Sequence, residues 1–278
     1  PFPFREVGGH ALLQASSGPF AAENGAFLEY RRAHGFRNDT VLAPPPENTL
    51  AALAPRERFP ACYPEGALCL SRPETAEAVA GALAKQVGAG AGNAAWGEDN
   101  GLLVLSAGFD PPRCPCARCA ALRKREGTAA APFITLANGV AARLRQALPE
   151  DEPRVLALCP GPWRAPPATL DVDEGVAVML STRLCNGARP LFDREDPANT
   201  AFREDVSGWR PRCAALYFRY QAGNRAAPLC PHPAWNNFQA DMQFFAQQDA
   251  AGVYAQGGGA FGGRYAASAA LRAYLLSV

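Results

Sequence analysis

"GLLVLSAG" at residues 101–108, "APFITLANGVAARLRQAL" at 131–148 and "RVLALCP" at 154–160 decide the fold. The first and third are short, unbroken apolar runs bounded by breakers, the pattern of strands buried on both faces. Between them, Phe133, Leu136, Val140 and Leu144 recur at helical spacing. Strand, helix and strand in that order predict a parallel β-α-β unit.

The alternation extends both ways. Upstream, "GALCL" (66–70) reads as a strand and "SRPETAEAVAGALAKQV" (71–87) as a helix. A capping box of Ser71 and Glu74 opens that helix, Pro73 lies in its first turn, and Ala76, Val79, Ala80, Leu83 and Val87 share one face. Downstream, "GVAVMLS" (175–181), "ALYFRY" (215–220) and "GVYAQG" (252–257) read as strands. "DPANTAFREDVSGW" (196–209), capped by Asp196 and Pro197, "PAWNNFQADMQFFAQQD" (233–249) and "RYAASAALRAYLLSV" (264–278) read as helices. Residues 1–67 are crowded with breakers, as in "LAPPPENTLAALAP" (42–55), and predict loops with short elements, among them a helix at "AENGAFLEYRR" (22–32).

The expected fold class is α/β, a (β/α)8 TIM-like barrel in one domain over residues 1–278, irregular over 1–67. About six strands are legible, so the early elements must complete the barrel. A doubly wound sheet satisfies the same alternation. The barrel is preferred because no Gly-rich phosphate turn follows the early strands, and because Asp110, Arg183, Tyr220 and Gln256 fall at strand ends, where barrels build their sites. "QGGGAFGG" (256–263) lacks the GxxxxGK[ST] pattern and reads as a loop.

A chain of 278 residues with 48% hydrophobic composition buries a sizeable core. Lys+Arg 27 against Asp+Glu 26 leaves a net charge of +1, so no global field draws the chain to nucleic acid or to an anionic membrane. No apolar run of eighteen residues exists, and no membrane span is expected. Nine cysteines exceed what a reducing compartment ordinarily tolerates, and Asn38-Asp39-Thr40 is an N-glycosylation acceptor. Together they predict a secreted, extracellular protein. A start at Pro1, without methionine, fits a chain preceded by further residues.

Cys114, Cys116 and Cys119 form a CxCxxC cluster just after Asp110. Tetrahedral zinc would need a fourth ligand, such as Cys62, Cys69 or Cys159, and the paired CxxC…CxxC spacing is missing. Cys116 and Cys119 at a helix start also fit a redox pair. Disulfides are the favoured reading, and Cys185, Cys213 and Cys230 join the pool. An odd total leaves at least one cysteine for a disulfide-linked partner chain. No cofactor is expected, zinc on the cluster being the one metal the pattern admits. His10, His34 and His232 are isolated and show no metal spacing.

"GALCLSRPET" (66–75), the acid with "CPCARCAALRKREGT" (114–128), "ANGVAARL" (137–144), "FREDVSGW" (202–209), "ALYFRYQ" (215–221), "NFQADMQFFAQQDAAGVYAQG" (237–257) and "LRAYLLS" (271–277) resemble, in this order, a family of large, mostly bacterial, secreted proteins known as a domain of unknown function. That family is related to glycoside hydrolase barrels such as the α-glucuronidases and β-hexosaminidases, and the resemblance spans roughly residues 25–278. It implies the barrel fold and a carbohydrate-related role. The departures fall on site positions. The family's Asn-Asp before the cysteines is Phe109-Asp110 here; its aromatic-Asp-Tyr is Phe218-Arg219-Tyr220; its Glu-Gln-Gly is Ala255-Gln256-Gly257. A histidine usual in the early loop is missing from residues 42–53.

Glycoside hydrolysis requires two carboxyl groups across the scissile bond, one of them held protonated near neutral pH. Among strand ends only Asp110 qualifies, and before Pro111-Pro112 it also reads as a turn cap. Glu98, Asp99, Asp193, Glu195 and Asp196 are loop acids, a class that more often caps or is solvated. Neither Arg219 nor Ala255 exchanges a proton at neutral pH. The expected protein is therefore a glycoside-hydrolase-like barrel with a degenerate site, acting as a structural or carbohydrate-binding module for a glycan or polysaccharide. The alternatives are an active glycosidase using Asp110 with a loop carboxylate, and a disulfide-linked, self-assembling matrix or appendage protein. Trp96 and Trp163, in strand-flanking loops, are candidates to stack on a sugar ring, and Tyr220 and Gln256 to hydrogen-bond one. Trp209 and Trp235, at helical spacing, read as core.

Overall fold

A computed structural model describes residues 4–8, 48–88, 102–108, 113–150, 153–221 and 233–256. Its strands are β1 (Phe4–Gly8), β2 (Leu102–Leu105), β3 (Arg154–Cys159), β4 (Val176–Ser181), β5 (Leu216–Gln221) and β6 (Gly252–Gln256). Its α-helices are α1 (Thr49–Leu53), α2 (Pro73–Gly88), α3 (Ala117–Glu126), α4 (Ala131–Ala147), α5 (Pro197–Trp209) and α6 (Phe238–Gln247). The chain divides into two compact units, Pro45–Leu180 with Ser207–Leu216, and Pro1–Pro44 with Ser181–Val206 and Tyr217–Val278.

In the unit built around Pro45–Leu180, β2, β3 and β4 run parallel in that order, with Leu103 beside Val155 and Val155 beside Val176. β2 and β4 are buried along their whole length, as is β3 beyond Arg154, which is why their sequences are continuous apolar runs rather than alternating ones. Helices α2 and α4 pack on each other so closely that a Cβ added at Gly139 would stand 3.1 Å from that of Ala76. Helix α3 ends at Gly127, whose left-handed backbone (φ 67°) reverses the chain toward α4 without the strain a Cβ would bring.

The other unit holds parallel strands in the order β1-β6-β5, with Phe4 and Tyr217 both beside Gly252 and Gly8 and Gln221 both beside Gln256. Its aromatic core stacks Phe218 on Phe245 at 4.3 Å, with Phe202 and Phe244 alongside. Helix α5 begins as the sequence predicts: Pro197 takes the first position and the Asp196 carboxylate accepts from Asn199 N–H at 3.0 Å.

Alternating helices and parallel strands give the α/β class and fit part of a TIM-like barrel. The described residues supply six strands, not eight. "GALCL" is not one of them; it is a turn in which Cys69 N–H donates to the Cys62 carbonyl at 2.8 Å. Conversely β1 lies in the stretch expected to be irregular. The first turn of the 233–249 segment is a 3-10 turn (Pro233–Asn237), so α6 starts only at Phe238. The helices expected at 22–32 and 264–278 lie outside the described residues. No described helix is long and apolar enough to cross a membrane.

Candidate functional site

The Sγ atoms of Cys69, Cys114, Cys116 and Cys119 all lie within 4.8 Å of one another. Cys69 Sγ is 3.6 Å from that of Cys116 and equally 3.6 Å from that of Cys119. Of the candidates for a fourth partner, the structure selects Cys69; Cys62 and Cys159 lie outside the group. The local chain explains the convergence. Cys116 caps α3, its sulfur accepting the Cys119 N–H at 3.5 Å, and the CxxC spacing returns Cys119 to the same side one turn later. Arg123 donates to the Cys114 carbonyl at 3.1 Å and fixes the approach to the helix. Cys69 arrives from the turn before α2, and Ser71 beside it has its hydroxyl 3.5 Å from Cys69 Sγ and 3.1 Å from Cys119 Sγ. The hydroxyl expected to cap α2 is thus drawn into the sulfur cluster.

Three of the four cysteines are buried, and the fourth, Cys116, is partly so. Burial pushes the Cys114 thiol up to about 12. For Cys116 burial works the same way but is outweighed by the Cys119 N–H and the neighbouring thiols donating to it, which hold it at about 7. The cysteines expected to form disulfides, Cys62, Cys69, Cys114, Cys116, Cys119, Cys159 and Cys213, are thiols in this structure, and the 3.6 Å from Cys69 Sγ to those of Cys116 and Cys119 is well beyond the ~2.05 Å of an S–S bond. Burial raises Cys159, and it raises Cys213 to about 11, so both are inert as nucleophiles at neutral pH. Cys230, Asn38 and Trp96 lie outside the described residues.

Asp110, Glu98 and Asp99 are likewise outside them, but both described ends of the loop that carries Asp110 are anchored. On the strand side, Ser106 N–H donates to Thr49 Oγ1 at 2.8 Å and the Ser106 carbonyl accepts from Leu50 N–H at 3.1 Å. On the helix side the loop runs into Cys114 and the sulfur cluster.

The loop acids that follow β4 are structural. Asp193 pairs with Arg189 at 2.8 Å and Asp196 accepts from Asn186 Nδ2 at 2.7 Å while capping α5. Those partners lower both carboxyls, the opposite of what a general acid needs. Glu195 is exposed and 3.5 Å from Arg189.

Tyr220 does not face an open mouth. Strand alternation puts it on the same side as Phe218, and its ring packs on Phe238 at 5.4 Å and Phe245 at 5.8 Å beneath α6. Its hydroxyl donates to Asp241 Oδ2 at 2.7 Å, and Asp241 Oδ1 accepts Leu191 N–H at 2.7 Å. Burial pushes Asp241 up to about 6 despite those two donors, and burial beside Asp241 pushes the phenol up as well. The pair lines a cavity of about 40 Å³ with Thr182, Cys185, Gln221 and Ala234. Asp241 was not singled out from the sequence. The signal was present: at i+3 from Phe238 and one turn before Phe245, it stands in the apolar stripe of α6.

Trp163, expected to be open to a sugar, is instead 3% exposed, its ring centroid 5.1 Å from that of Phe133. Trp209 is core as expected, its Nε1–H donating to the Arg164 carbonyl at 2.6 Å. Arg183 follows β4, and its N–H donates to Ser181 Oγ at 3.3 Å. Gln256 ends β6 beside Gln221. Arg219, on the face of β5 opposite Phe218, is 2% exposed, its guanidinium 6.0 Å from the ring centre of Tyr254.

The molecule is thus a parallel α/β protein with a largely buried four-cysteine centre where the start of α3 meets the turn before α2, and a buried acid-phenol pair beside β5. The chain belongs to the family described as Domain of unknown function (DUF4838), whose profile matches residues 39–278. Among solved structures it is similar to endo-glycoceramidase II from Rhodococcus sp. In the five-membered iminocyclitol complex the identity is 13% and the TM-score 0.37, over 90% of this chain and 63% of that one. In the cellobiose-like imidazole complex they are 12% and 0.38, over 90% and 64%. The chain therefore spans less than two thirds of those proteins' length. No curated protein matches it.

Proposed function

We propose that this chain is a carbohydrate-binding module of an exported protein, built on a glycoside-hydrolase-like barrel fold whose hydrolytic site is degenerate. The observation that carries the loss of hydrolysis is the setting of Asp241. Its carboxyl is raised toward neutrality, the property a general acid requires. Yet its cavity of about 40 Å³ admits a water and not a pyranose, and both its oxygens are committed to Leu191 and Tyr220. Arg219, standing where the resembling family carries an acid, is buried and puts a guanidinium in place of a carboxyl.

The carbohydrate side of the reading rests on the family resemblance and on Asp110, which follows β2 in the chain, the order in which barrels carry their ligand-binding residues. The acceptor at Asn38 supports export. The test is a glycan array followed by calorimetry, with reducing-sugar release measured on the same polysaccharides. Binding without turnover is expected. Release of reducing ends that Asp110→Asn abolishes would establish a glycosidase instead.

A further inference from the structure

We infer that Cys69, Cys114, Cys116 and Cys119 bind one zinc ion as a closed, structural tetrathiolate site. Zinc at about 2.3 Å from four thiolates in a tetrahedron sets its sulfurs roughly 3.8 Å apart. The 3.6 Å separations from Cys69 to Cys116 and Cys119, inside a group that spans at most 4.8 Å, have that spacing. A disulfide has no use for this arrangement, because Cys69 stands equally far from two partners and a bond to either would leave the other two thiols packed against it. A multi-iron cluster needs its thiolates further apart, around several metal atoms, so a single ion is the occupant. Soft thiolate ligands in tetrahedral array select zinc over the oxygen-seeking divalent ions.

The surroundings are those of a thiolate site. The Cys119 N–H and the Ser71 hydroxyl are placed to donate to sulfur, and the N-terminus of the ten-residue α3 favours negative charge at Cys116. Four protein ligands leave no open position, so the ion does no chemistry on a substrate. It ties the loop after β2 and the start of α3 to the turn before α2, segments about 50 residues apart in the chain. Binding exchanges the thiol protons for the ion and changes no oxidation state.

The experiment is elemental analysis of the full chain, purified without chelator, with cobalt substitution read by absorption. The expected result is one zinc per chain and, with cobalt, strong thiolate-to-metal charge transfer with the visible bands of a tetrahedral site. Cys69→Ser and Cys119→Ser should reduce the metal to background, while Cys159→Ser retains it. Cys116→His guards against variants that merely misfold: imidazole still binds zinc but forms no disulfide, so this variant keeps its metal. Metal-free wild type with a mapped disulfide among the four cysteines would overturn the inference, as would equal metal loss in Cys159→Ser.

Discussion

The two units solve the burial of polar side chains in opposite ways. Around Pro45–Leu180, Glu126 is buried yet ionised. Burial alone would raise it, but the Thr169 N–H, Arg125, the Thr169 hydroxyl and the Leu170 N–H donate to it and hold it at about 2. In the other unit Asp241 has two donors, and burial wins, at about 6. Both side chains are 2% exposed, but Asp241 lies far deeper among protein atoms and has fewer donors, so depth and donor number together decide whether a carboxyl keeps its charge. The sulfur centre extends the contrast: one unit concentrates negative groups that a metal ion neutralises, the other keeps a carboxyl that a proton neutralises.

That contrast breaks first at the metal. Stripping the ion with a strong chelator under reducing conditions should lower Tm by roughly 10 °C or more, because the binding energy of a structural zinc is folding energy. A Tm unmoved by chelator would place the clamp elsewhere. Next is Asp241→Ala, which strands the Leu191 N–H at about 1–3 kcal/mol and leaves the Tyr220 hydroxyl only its longer contact to the Ala234 carbonyl. Urea unfolding measures it, and a loss below about 0.5 kcal/mol would show that the pair is not load-carrying.

The pH dependences should carry opposite signs. Asp241 is raised from 3.8 to about 6, so the folded chain holds the proton more tightly; the stability this gives is full below about pH 4 and is lost as pH rises through about 6. The neutral acid keeps its contacts, since the Tyr220 hydroxyl can turn to the Ala234 carbonyl 3.3 Å away. Glu126 is lowered from 4.5 to about 2, so its contribution is present above about pH 4.5 and disappears as pH falls toward 2. Thermal melts should show Asp241→Asn flattening the first window and Glu126→Gln the second; the same window moving in both variants would sink the assignment. The smallest effect is Gly139→Ala, whose new Cβ meets Ala76 at 3.1 Å. Overpacking slightly outweighs the gain in helix propensity, for a net loss of about 1 kcal/mol by urea midpoint.

Much of this was legible in the sequence. Five of the six described strands and helices α2, α4 and α5 follow from apolar runs, helical spacing and the Asp196-Pro197 start. The cysteine centre was half legible. CxCxxC declares three sulfurs, but Cys69 reaches them only because the chain turns at "GALCL" instead of extending, and a short apolar run does not distinguish a strand from a buried turn. Trp163 and Tyr220 misled for one reason: position near a strand end does not say which face a side chain takes. Trp163 turns inward onto Phe133, and Tyr220 follows Phe218 beneath α6. Helical spacing marks Asp241 as standing in an apolar stripe, but its hold on a proton, like that of Glu126, depends on backbone donors from distant loops.

Zinc K-edge X-ray absorption on the purified chain tests the four-cysteine centre most directly. A first shell of four sulfur atoms at about 2.3 Å is the predicted result. A shell containing nitrogen or oxygen, or no zinc edge in protein that has kept its fold, would contradict it.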